Sequence, residues 1–164
     1  MILELLIFFK GAALVEKLVH LHPMLVHFPI ALYMTSVLFD FGFKIFKKED
    51  FLKTAYFLLI LALLAGLAAT ADGLLIEGIV EKTGVPEEAI DRHMIFAIFT
   101  IVFIGTLLGF RFIKKNKITA NLYNVYLALS LAGMILIGLT GLLGGKLVYE
   151  YGAAVKVKSG ETAK

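Results

Sequence analysis

Long apolar runs alternate with short charged ones along this chain. A helix needs about 20 mostly apolar residues to cross the hydrocarbon of a bilayer. Four runs meet that length: Pro23 to Phe46, Phe51 to about Ile76, His93 to Ile113, and Leu122 to about Leu143. The connections between them are short, so successive runs are antiparallel. The pattern predicts an all-α fold, an integral membrane four-helix up-down bundle. Gly105 with Gly109, and Gly141 with Gly145, form GxxxG pairs. Such pairs are expected to let helix backbones approach closely, inside the bundle or in a homo-oligomer.

Residues 1–19 are also apolar, but Glu4, Lys10, Glu16 and Lys17 interrupt them. They lack the basic start and the cleavage site of a secretory signal. A span would bury several charges, so an interfacial amphipathic helix is expected here instead. The chain therefore divides into an interfacial helix over 1–20, a four-helix transmembrane domain over 21–150 and a polar tail over 151–164.

Composition supports this. Of 164 residues, 60% are hydrophobic and 18% charged, and mean hydropathy is +0.90. Soluble domains average roughly 45–50% apolar and about 25% charged, so a soluble globular protein is excluded. The absence of cysteine removes disulfides, iron–sulfur ligation, thiolate zinc sites and covalent haem attachment. A net charge of +3 does not point to nucleic acid. There is no phosphate-binding glycine loop, nucleophile elbow or HExxH motif, so an electron-transfer or accessory membrane subunit is expected rather than an enzyme. The first connection carries Lys44, Lys47, Lys48 and Lys53, and the third Arg111, Lys114, Lys115 and Lys117. The second has Lys82 and Arg92 among Glu77, Glu81, Glu87, Glu88 and Asp91. The positive-inside rule then places the first and third connections in the cytoplasm and both termini outside.

All four histidines, His20, His22, His27 and His93, fall at the expected outer end, together with Asp72, Glu77, Lys146 and Tyr149. Ionisable groups at membrane depth mark function by default. The opposite end holds Asp40, which stands four residues before Lys44 and reads as half of a helix-surface ion pair. Pro23 suits a first helical turn. Pro29 deprives the Leu25 carbonyl of its partner and kinks the helix beside His27.

Three uses of the histidines stay open. One is haem b with His27 and His93 as axial ligands, His22 and Asp72 behind them, and Arg92, Lys146 and Tyr149 near the propionates. Another is a bare Zn, Cu or Fe ion held by His22, His27, His93 and Asp72, unless Asp72 instead orients a ligating histidine. In the last, the histidines are interfacial and hydrated, as His20 reads by itself, in a structural or transport subunit.

The stretch from His22-Pro-Met-Leu-Val-His27 to Leu32, Asp72-Gly73, His93 and the tail Gly144-Gly145-Lys-Leu-Val-Tyr149 through Val155 together resemble a known family. These are the prokaryotic membrane proteins catalogued as domain of unknown function 2231, and the resemblance covers about residues 20–157. It implies company with Rieske or c-type cytochrome domains, and so respiratory or photosynthetic electron transfer. Relatives carry a histidine where this chain has Tyr151. The expectation is one haem b near the outer leaflet, exchanging electrons with a quinone or a separate redox protein.

Overall fold

The computed structural model describes residues 19–114, 119–153 and 155. A helical segment over 19–25 leads into α1, His27–Phe46. The others are α2 (Glu49–Lys82), α3 (Glu87–Lys114) and α4 (Ala120–Tyr149). Val19–Phe46 and these three helices are each long and apolar enough to cross a membrane. The four expected spans are present, and each helix outruns its apolar core. Helical hydrogen bonding continues past the hydrocarbon wherever backbone and capping allow. Glu49 and Asp50 open α2, and Glu87 and Glu88 open α3, where carboxylates meet the positive end of the helix dipole. Thr119 caps α4 by accepting a hydrogen bond from the Leu122 N–H at 3.4 Å. Lys47, at φ 58°, closes α1 with its N–H on the Phe43 carbonyl. The interfacial helix expected over 1–20 lies, up to residue 18, outside the described residues, as does the tail beyond residue 155.

The α1 helix packs on α2 and α4, and α3 packs on the same two, so α1 and α3 form a diagonal pair. Tyr33, Val37, Leu59, Ala62, Ile104 and Tyr126 centre the main core. A smaller cluster of Val19, Ile76, Val80, Ile90 and Leu147 lies toward the histidines. Phe28, Leu38, Phe57, Leu64, Phe99 and Ile135 are exposed on the outside, as a lipid-facing surface requires.

The glycines that permit close packing differ from the expected pairs. A Cβ on Gly133 would fall 2.1 Å from the Tyr33 hydroxyl, and one on Gly66 would fall 2.3 Å from Ile101 Cδ1. At Gly109 and Gly145 it would meet nothing within 4 Å, and at Gly105 only Leu63 at 3.8 Å. GxxxG spacing says that two glycines share a face, without saying whether a neighbouring helix lies over it.

The Asp40–Lys44 surface pair is also corrected. Asp40 is fully buried and points inward. Its carboxylate accepts from Arg111 Nη1 at 2.8 and 3.1 Å, and from the Tyr123 and Tyr126 hydroxyls at 3.1 Å each. Arg111 Nη2 donates to the Leu52 carbonyl at 2.9 Å, and the guanidinium packs on the rings of Tyr56 and Tyr126. One ion pair thus ties all four helices together. Buried charges are tolerated only when paired and hydrogen-bonded, and stranding one partner costs about 3–5 kcal/mol. Asp40→Leu or Arg111→Leu alone should destabilise the protein by about that much. The double variant should recover most of the loss, as read by thermal unfolding in detergent.

Candidate functional site

At the other end of the bundle the four helices line a half-open cavity of about 390 Å³. Val19, Ile30, Ile76 and Ile137 supply apolar wall, and Thr70, Thr100 and Thr140 supply hydroxyls. His22, His27, His93, Glu77 and Tyr149 also line it.

Two of these histidines meet across the diagonal. The ring centres of His22 and His93 are 6.4 Å apart, with the rings nearly perpendicular at 89°. Each ring is anchored from behind. His22 Nδ1 lies 3.1 Å from Oδ2 of Asp72, which is 6% exposed. His93 Nδ1 lies 3.2 Å from the Thr140 carbonyl oxygen. A carboxylate and a carbonyl both accept, so Nδ1 donates in each ring, and in the neutral ring Nε2 is left with its lone pair. That is the tautomer a metal-ligating imidazole needs.

Each ring also rests on a glycine of the next helix. A Cβ on Gly73 would stand 3.1 Å from His22 Cε1, and one on Gly144 would stand 2.9 Å from His93 Cε1. Thr140 precedes Gly144 by one turn, so acceptor and seat lie on one face of α4. In the first hairpin the acceptor and the seat are instead adjacent residues, Asp72 and Gly73. In both hairpins the imidazole comes from the first helix and its seat from the second.

The remaining sequence candidates do not join the His22–His93 pair. The His27 ring is exposed at the cavity wall, its Nδ1 bonded to the Pro23 carbonyl. His20 is exposed. Arg92 is paired with Glu88 and, with Lys146, lines a separate cavity of about 140 Å³. Tyr149 stands at the rim of the main cavity, 90% exposed. Among the described residues no three His, Asp or Glu side chains group as a metal site. The expected four-donor set of His22, His27, His93 and Asp72 is therefore not assembled there. Gly73 and Gly144 stand in the sequence motifs, but their role as seats, and the Thr140 carbonyl, were not legible there. The available signal was small residues at histidine depth on the partner helices.

Because Gly144 is crowded and Gly145 and Gly109 are open, alanine separates them. Gly144→Ala should cost about 1–3 kcal/mol through overpacking. Gly145→Ala and Gly109→Ala, which meet no neighbour, should be neutral or stabilising by up to about 1 kcal/mol, measured as unfolding in detergent.

No curated protein and no solved structure matches the chain. A family described as predicted membrane protein, DUF2231, matches residues 19–157, a range that takes in all four spans, both anchored histidines and both glycine seats. The chain belongs to the DUF2231 family of membrane proteins.

Proposed function

We propose that this membrane protein holds one haem b between His22 and His93 and passes single electrons at one face of the bilayer. The observation that carries the reading is the anchored imidazole pair. His22 and His93 would hold the iron: two imidazoles sharing one metal through bonds of about 2.0–2.1 Å would have ring centres roughly 6 Å apart. The separation here is 6.4 Å. Two imidazoles anchored through Nδ1, apolar walls and glycine seats suit a flat, largely apolar macrocycle. Bound there, the haem would supply one-electron chemistry.

The chain's own residues do the rest. Asp72 and the Thr140 carbonyl hold the rings in register, and the apolar walls exclude water. The unequal acceptors behind the two rings tune the electron density that each nitrogen offers. Tyr149 at the rim is the group suited to bond a propionate, while Arg92 faces the neighbouring cavity. With the lysine-rich first and third connections in the cytoplasm, the haem would lie at the outer face. A quinone or a separate redox protein would be its partner there.

The test is an optical spectrum of the purified full chain, oxidised and then reduced with dithionite, with metal analysis of the same sample. A Soret band that sharpens, with split visible bands on reduction, is expected. His22→Ala and His93→Ala should each abolish it, and His27→Ala should leave it. A protein that stays colourless after hemin is added overturns the reading, and stoichiometric zinc or copper would reassign the pair to a bare ion.

A further inference from the structure

A flat macrocycle that slides edgewise between two side chains needs about 3.5 Å of clearance on each face. Two imidazoles with ring centres 6.4 Å apart leave less, so one of them must withdraw before such a ligand can enter. His93 is badly placed to do so. It sits inside an unbroken 28-residue helix, held between Gly144 and the Thr140 carbonyl. His22 is placed differently. The helical ladder is interrupted at Val26, and His22 lies beyond that break, on 19–25.

Two prolines cause the weakness. Pro23 has no N–H for the Val19 carbonyl, and Pro29 has none for that of Leu25. The His27 ring bonds the Pro23 carbonyl, which gives this histidine a role at the joint rather than at the ligand. Val26 N–H still reaches the His22 carbonyl at 3.1 Å, so the segment is jointed without being detached. Among the described residues, its inward contacts include Val19 in the small apolar cluster, the His22–Asp72 bond, and the His22 ring against Gly73 and His93.

We infer that residues 19–25 form an arm hinged about Val26, which carries His22 into and out of its place opposite His93, with Asp72 as the latch. The identity of the ligand rests on the haem reading above. So does the need for withdrawal; the joint itself is read from the break at Val26 and the two prolines.

The chain has no cysteine, so Met24→Cys with Asp91→Cys, both at exposed positions, can carry a pair of nitroxides on the full-length protein. Pulsed EPR in the ligand-free state should give a broad distance distribution that hemin collapses to a narrow one. Asp72→Asn should broaden it further. Pro29→Ala, which restores the missing N–H, should narrow it and slow hemin uptake at least fivefold. A single narrow distribution that neither substitution alters overturns the hinge. If hemin fails to bind, the haem reading falls, and the response of the ligand-free distribution to Asp72→Asn and Pro29→Ala still decides the arm.

Discussion

Inside a bilayer an unpaired charge has no water to turn to, so a carboxylate and a guanidinium placed among four helices must find each other and fill every remaining hydrogen-bonding position. The Asp40–Arg111 pair does this with two tyrosine hydroxyls and the Leu52 carbonyl. Its partners come from all four helices, so satisfying it sets the rotation of each. The stacked rings of Tyr123 and Tyr126, the latter also against Phe110, and the bond from Tyr33 to the Ser130 carbonyl at 3.0 Å extend that order toward the middle of the bundle. There Leu59, Ile104 and Ile137 form apolar packing.

The histidine end is built on the opposite principle. Small residues stand where the ion-pair end has aromatic ones, and a cavity remains where a core would otherwise close. A hollow in a four-helix bundle costs packing energy, and it is sustained because the far end holds the helices together. Polar groups here are few and each has a direction. Asp72 and the Thr140 carbonyl face the backs of two imidazoles, and the Thr100 and Thr140 hydroxyls bond each other at 2.8 Å. Two hairpins meet across the diagonal with the same device, an imidazole from the first helix on a glycine of the second. They differ in the acceptor, a carboxylate in one and a peptide carbonyl in the other, so the two rings are not electronically equivalent.

Prolines tend to be read as kinks, and the effect here is local. Val26 keeps near-helical angles, φ −64° and ψ −21°, so the first span continues in direction while losing hydrogen bonds. The histidine next to the break is occupied by a backbone carbonyl, and the one a turn earlier reaches the cavity's far wall.

The sequence by itself determined that the chain forms four membrane helices, because length and hydropathy are summed along the chain and need no knowledge of neighbours. It also brought the histidines, Asp72 and Glu77 to one end, since antiparallel spans fix depth by counting. It could not say which residues face each other. Each residue turns a helix by about 100°, and partners such as Asp40 and Arg111 lie on different helices, so contact depends on the rotation of whole helices. His27 stood out by sequence because it lies deeper than His22, yet the tertiary structure turns His22 toward His93. Lys44 was the local partner for Asp40, yet burial selected Arg111. Those choices were made by the need to satisfy buried polar groups and fill space across the bundle, which exists only once all four helices are packed.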